Sequence, residues 1–396
     1  MTVAPRLDPE RLRRARGYRA FILWNGIAGT ATGVAVLLAL HVLDLGVFAR
    51  SFVDPMNDPY RRPIDAIPIF FVVTLFGVVA WIVQTPFAYL SWRRGKREGI
   101  VVQSLAGMLL DQVKGLLLTI VLIGVPLTAW YAILPRPEWW LLTIAGVAAL
   151  SALGTLLGPA LTSLFFRFEP LADETVAERV RDVAQRAGVR VSGVYRILLG
   201  QKTTAANAMV IGIGPTKRIA LGDTLLARFP IDETEAVVAH EVGHDVSGDP
   251  PRYVVALTVA GSAALIVVRV AVDAMTCGAA SVNGVPQPVC GTEPYARVGG
   301  AADPASYPLV AAALMLIGFV GRPALMAFTR WRESAADAFG ARYTSREAMA
   351  RALVRLADQN LADPEPPRWE ELWFYSHPAI ANRVRALGLR WEEYGA

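Results

Sequence analysis

Six apolar runs, each close to the length a bilayer demands, set what this chain can become. They are Phe21–Leu40, Ile67–Leu90, Gly115–Leu134, Trp139–Leu157, Tyr253–Val272 and Pro308–Phe328. About 20 apolar residues cross the hydrocarbon core as a helix, which satisfies its backbone internally where no water can. The expected fold is a predominantly α-helical polytopic membrane protein with about six transmembrane helices, carrying a small α+β unit in its polar part. Composition agrees: 54% of the 396 residues are hydrophobic and 18% charged, which is not the balance of a water-soluble protein. The net charge of +5 does not indicate a nucleic-acid partner. The basic residues flank apolar runs instead of forming a patch on a polar domain.

Those basic flanks orient the spans. Arg11, Arg13, Arg14, Arg16 and Arg19 precede the first run, and "SWRRGKREG" closes the second; both ends are expected in the cytoplasm. Six crossings then return both termini to that side. The predicted division is 1–160 for spans one to four, 161–251 for a cytoplasmic α+β segment, 252–328 for spans five and six around an external loop 273–307, and 329–396 for C-terminal cytoplasmic helices. Cys277 and Cys290 both fall in the external loop, on the side where a disulfide persists. Trp130, Tyr131, Trp139 and Trp140 flank the short link "LPRPEWW", as an interfacial aromatic belt does. Arginine outnumbers lysine 35 to 4, read here as the mark of a GC-rich bacterial genome. The expected home is therefore the bacterial cytoplasmic membrane, with the site facing the cytoplasm.

The polar segment from 168 reads as an amphipathic helix in "ADETVAERVRDVAQRAGV", a strand in "VSGVYRILL", and a hairpin formed by "AANAMVIGI", "GPTK" and "RIALG". "IDETEAVVAHEVGHDVSG" then opens a helix, with Asp232 as the expected N-cap and Glu235 completing a capping box. The chain has four histidines, and two of them, His240 and His244, stand on this helix one turn apart. Residues i and i+4 share a face, so both imidazoles can reach one metal ion with Glu241 beside them. Histidine–glutamate–x–x–histidine on a helix is the zincin arrangement of two zinc ligands and a general base. A catalytic zinc needs a third protein ligand. No further histidine follows closely, but "TRWRESAADAFGARY" offers Glu333 and Asp337 four apart. Alone, such a pair is usually a solvated helix face. Beside His240, Glu333 completes a His₂Glu set and Asp337 orients a ligand imidazole.

At this point the sequence resembles the type I CAAX prenyl endopeptidases and their bacterial relatives, integral-membrane zinc metallopeptidases of the gluzincin kind. The resemblance runs from about residue 86 and rests on "PFAYLSWRRGKREGI", "NAMVIGIGPTKRIALGDTLL", "HEVGH", "ESAAD" and "YSHPAIANRVRAL". It implies that Glu333 is the third zinc ligand, that Asn207 and Ala208 lie on an edge strand holding the substrate, and that His377 and Arg383 contact the substrate or the developing oxyanion. The sequence departs from the family in "GQKTTAA" before Asn207, in six spans where the eukaryotic members have seven, and in Asp249 where many relatives carry another histidine.

The function expected from these residues is a membrane-embedded metalloendopeptidase holding one zinc ion. It would cleave peptides or membrane-associated proteins with a zinc-activated water and Glu241 as general base. A heat-shock-type membrane quality-control protease shares this chemistry and is the alternative. A site-two-type intramembrane protease would set its metal motif inside an apolar span, whereas "DETE" and "DVSGDP" bracket this one. A catalytically silent scaffold or transporter would have no use for His240, Glu241, His244 and Glu333 together.

Overall fold

The computed structural model describes residues 7–53, 66–282, 285–290 and 298–394. In chain order the helices are α1 (Pro9–Val42), α2 (Leu45–Val53), α3 (Ala66–Glu98), α4 (Leu105–Thr119), α5 (Val125–Ile133), α6 (Trp139–Ser163), α7 (Glu174–Arg186), α8 (Asp223–Leu226), α9 (Ile231–Val246), α10 (Asp249–Thr276), α11 (Tyr307–Tyr343), α12 (Arg346–Gln359), α13 (Arg368–Phe374) and α14 (Ile380–Ala386). The strands are β1 (Phe168–Pro170), β2 (Gly193–Ile197), β3 (Ala208–Ile211), β4 (Arg218–Gly222), β5 (Cys277–Val282) and β6 (Val285–Cys290).

Six helical segments are long and apolar enough to span a bilayer: Pro9–Val42, Ala66–Glu98, Leu105–Ile133, Trp139–Ser163, Asp249–Thr276 and Pro304–Tyr343. Each contains one of the six expected runs, or all but its last residue. Large apolar side chains such as Leu117, Leu156, Val259, Val270 and Val320 stand exposed on them. A water-soluble monomer rarely shows so much apolar surface, and a lipid-facing helix must. A five-residue π-helical turn, Ile120–Gly124, joins α4 to α5 just before Pro126, whose missing N–H breaks the regular ladder.

Several details differ from expectation. Trp130 and Tyr131 are buried instead of forming a belt: Trp130 donates to the Thr143 hydroxyl at 3.1 Å, and Tyr131 lies 3.2 Å from Ser306 Oγ. The sixth span and the helix of Glu333 are one continuous helix, α11, because no glycine–proline stop or cap interrupts "AFTRWRESAAD". The helix of His240 starts at Ile231, after Pro230, and no side chain caps it. Asp232 therefore lies inside its first turn and pairs with Arg351 at 2.6 Å, while Glu235 is drawn to Arg179. Nearby arginines outcompete the capping-box geometry for both carboxylates.

The polar part is a four-stranded sheet of order β1-β2-β4-β3, with β2 and β4 parallel and the other pairs antiparallel. Its core packs Ile219, Leu221, Val180 and Val183 against Val238 and Val242 of α9 and Leu353 of α12. Burying each of these aliphatic side chains stabilises the unit by roughly 1.5–3 kcal/mol. Helix α7 appears where its apolar spacing placed it, with Asp173 as N-cap and Gly188 at φ +76° beyond its end.

Two contacts fix the site-bearing helices. On α11, a Cβ added to Gly340 would lie 3.3 Å from the backbone N of His240, so α9 and α11 cross almost backbone to backbone. On α9, the buried Glu233 binds Arg355 of α12 at 2.6 Å. The basic start of α1 is tied to the same end of the molecule, Arg11 to Asp358 at 2.7 Å and Arg14 to Glu98 at 3.1 Å. At the other end of α10, Cys277 is disulfide-bonded, and the β5–β6 register sets Cys290 opposite it. The remainder of the loop holding both cysteines, 283–284 and 291–297, lies outside the described residues.

Candidate active site

Helix periodicity brings His240 and His244 together, and the α9–α11 crossing brings Glu333 to them. The two histidine Nε2 atoms are 3.3 Å apart. Glu333 stands 3.3 Å from each, through Oε2 to His240 and Oε1 to His244. Ligands about 2.0–2.1 Å from a tetrahedral ion are separated by about 3.3 Å. Among the described residues, these three are the one group of histidine, cysteine and carboxylate side chains whose ligand atoms converge in this way. Glu333 is buried, and a buried carboxylate draws positive charge toward it. Two imidazoles and a carboxylate around such a point form a donor set suited to a divalent transition metal.

Each histidine of the pair is held from behind. Asp337 Oδ1 lies 2.9 Å from His240 Nδ1, and Asp249 Oδ2 lies 2.7 Å from His244 Nδ1. The sequence gives Asp337 this role and marks Asp249 only as a departure from the family pattern. Its carboxylate is almost wholly buried, accepts from Arg332 Nε through its other oxygen, and reaches back to His244 across the turn at Gly248, φ +65°. Its signal in the sequence was only its position, five residues after His244 at the start of a membrane helix. Burial alone would lower His240, but contacts with Asp337 and Glu333 push it up to about 9. Burial likewise opposes charge on His244, while Glu333 and Asp249 raise it. The carboxylates thus draw positive charge into the site, whether carried by protons or by a metal ion.

Glu241 is half-buried, and burial pushes its carboxyl above the ordinary range against the pull of His240 and His244. It opens onto a cavity of about 250 Å³ that is also lined by Asn207, Ala208, His240, His377 and Arg383. Ala208 begins β3, the sheet's edge strand, and the carbonyl of Asn207 accepts from the Gly222 N–H at 2.9 Å. Asn360, which the sequence reading does not name, clasps both backbone groups of Ala206 at 2.8 and 3.2 Å, so this edge is held before β3 begins. His377 lies between α13 and α14, kept out of helix by Pro378. Its side chain is 55% exposed, and its Nδ1 lies 2.6 Å from Glu333 Oε2.

Arg383 lines the same cavity, and its buried guanidinium also forks onto Asp337, Nε to Oδ2 at 2.7 Å and Nη2 to Oδ1 at 2.6 Å. Asp337 needs a countercharge at this depth, and Arg383 is the cation that meets it.

A chain that sets a metal-binding helix pair at the end of bilayer-length helices is an integral-membrane metalloprotease. It belongs to peptidase family M48, whose profile matches residues 170–390. It is 25% identical over 354 residues to the "Uncharacterized metalloprotease YhfN" of Bacillus subtilis, covering 87% of this chain and 80% of that protein. The "CAAX prenyl protease 1 homolog" of Arabidopsis thaliana is 24% identical over 330 residues, with 79% and 72% covered. "Protease HtpX" of Acinetobacter baumannii is 26% identical over 235 residues, with 54% and 71% covered. The crystal structure of S. mikatae Ste24p shares the fold, with a TM-score of 0.79 at 19% identity over 98% of this chain and 92% of that one.

Proposed function

We propose that this protein is a zinc endopeptidase in which His240, His244 and Glu333 hold one ion and Glu241 is the general base. The observation that carries this reading is the set of three 3.3 Å separations among the ligand atoms, with Glu241 opening onto the same cavity. When bound, zinc supplies Lewis acidity toward a water and a scissile carbonyl. Glu241 takes the proton of the attacking water and later delivers it to the departing amine as the C–N bond breaks. Asp337 and Asp249 hold the ligand imidazoles in one tautomer and orientation. His377 donates toward the oxyanion as it develops. An extended peptide adds to β3, with Asn207 and Ala208 beside the reacting carbonyl, so that main-chain hydrogen bonds align it without demanding particular side chains.

We further place the site on the cytoplasmic side of a bacterial membrane. The support is the basic start of α1, packed at the same end as α12 and the site. The division into 1–160, 161–251, 252–328 and 329–396 belongs to this proposal, its boundaries falling inside α6, α10 and α11, the last two of which carry the site into the bilayer. Likeness to Protease HtpX favours a second reading of the same chemistry, in which the substrates are damaged membrane proteins. Comparative proteomics of wild-type and Glu241→Gln strains tests both. One precursor accumulating uncut supports a dedicated peptidase, many unrelated membrane proteins support quality control, and identical proteomes refute both.

A further inference from the structure

A second cavity, of about 300 Å³, lies away from the metal site between α1, α11 and α13. Its walls are apolar, with Ile22, Ile27, Phe319 and Phe374 among them, yet two arginines open into it, Arg19 and Arg322. Several of the arginines near them in sequence are matched. Arg11, Arg14 and Arg16 each meet a carboxylate, Arg330 donates to the carbonyls of Glu371 and Tyr375, and Arg332 pairs with Asp249. Arg19 and Arg322 have no carboxylate within ion-pair distance among the described residues. Each lies instead over an aromatic ring, Arg19 4.7 Å from the Tyr375 centroid and Arg322 5.2 Å from that of Phe374. Glu370, which burial leaves above its ordinary range although Arg19 pulls it down, makes no ion pair with Arg19.

Placement adds a second argument. Arg19 immediately precedes the apolar run of α1, and Arg322 lies inside the apolar run of α11. A charged group within a membrane helix, lacking an acidic partner, marks a candidate site for a ligand or ion. Beside the cavity, exposed Trp24 and Trp369 pack at 6.1 Å between ring centroids, and Leu372 is exposed next to them. Tryptophans gathered at a helix end mark the headgroup level of a bilayer. A pocket with apolar walls, two unmatched guanidiniums and that address complements a phosphate carrying acyl chains.

We propose that this cleft binds one anionic phospholipid, its phosphate between Arg19 and Arg322 and an acyl chain along Ile22, Ile27 and Phe319. The site also touches the catalytic end. Tyr375, under Arg19, lines the active-site cavity and stands two residues before His377. A bound lipid therefore steadies the segment that carries His377, and peptidase activity rises with it.

The test uses the full chain purified in a non-ionic detergent and supplied with phosphatidylglycerol, phosphatidylcholine or inorganic phosphate. Native mass spectrometry should retain one phosphatidylglycerol and no phosphatidylcholine, with a matching rise in melting temperature; free phosphate should give neither. Arg19→Gln and Arg322→Gln should each weaken retention roughly fivefold, and together about thirtyfold, as expected for a basic residue facing an anionic headgroup. The Arg19→Lys/Arg322→Lys protein should keep most of it, and decides the matter if the glutamine variants fold poorly. Equal retention of phosphatidylcholine, an equal response to free phosphate, or unchanged retention in a folded double glutamine variant would overturn the proposal.

Discussion

Arg383 lays its guanidinium flat on the carboxylate of Asp337, at 2.7 and 2.6 Å, and Asp337 in turn stands 2.9 Å from Nδ1 of His240. A residue on the C-terminal helix α14 is thereby linked through Asp337 to the proposed metal ligand on α9. Removing the guanidinium breaks this buried ion pair, which costs about 3–5 kcal/mol. Arg383→Ala is expected to lower the melting temperature and weaken metal binding while leaving KM of the folded fraction unchanged. Arg383→Lys should not restore it, since an ammonium cannot make the paired contact. Thermal denaturation beside metal titration checks this; normal stability with a raised KM would return Arg383 to the substrate.

Asp249 does for His244 what Asp337 does for His240. Asp249→Asn keeps the shape and removes the charge, so metal affinity should fall about 10–100-fold, the usual effect of losing such a partner. Competition with a chromophoric chelator measures it, and an unchanged affinity would reduce Asp249 to a partner of Arg332.

His240→Ala, His244→Ala and Glu333→Ala should each lose most of the zinc from protein that otherwise carries about one ion per chain. Glu241→Gln should keep the ion and lose peptide hydrolysis, because it removes the base and leaves the ligands. Elemental analysis paired with a peptidase assay separates the two groups. Full zinc retention in Glu333→Ala would mean that a different side chain is the third ligand.

His377→Ala should cut kcat about 100–1000-fold, the range for one oxyanion donor, with zinc content near wild type. If zinc is lost instead, the contact with Glu333 is what His377 contributes, and it positions a ligand.

Helix α10 has 28 residues, about 42 Å at 1.5 Å per residue, and runs from Asp249 beside the metal site to Cys277. That length crosses a bilayer. A membrane-impermeant thiol reagent should therefore label Cys277 and Cys290 in intact cells after mild reduction. Labelling only after lysis would contradict the assigned orientation.

The sequence by itself determined the parts whose cause is local. Apolar length determined six membrane helices, because lipid leaves the backbone no other partner. The i, i+4 spacing put His240 and His244 on one face, and Asp173 and Gly188 bounded α7. Tertiary structure alone decided which carboxylate meets those histidines. Glu333 lies 89 residues after His244, and only the close crossing permitted by Gly340 brings it within 3.3 Å. The fates of Arg383, Asp232 and Glu235 were equally out of reach. A buried carboxylate takes whichever cation the packing brings near, and distance along the chain carries no record of that choice. The same holds for Arg19 and Arg322: in the sequence they are two arginines among 35, and only the packed helices leave both without an acid.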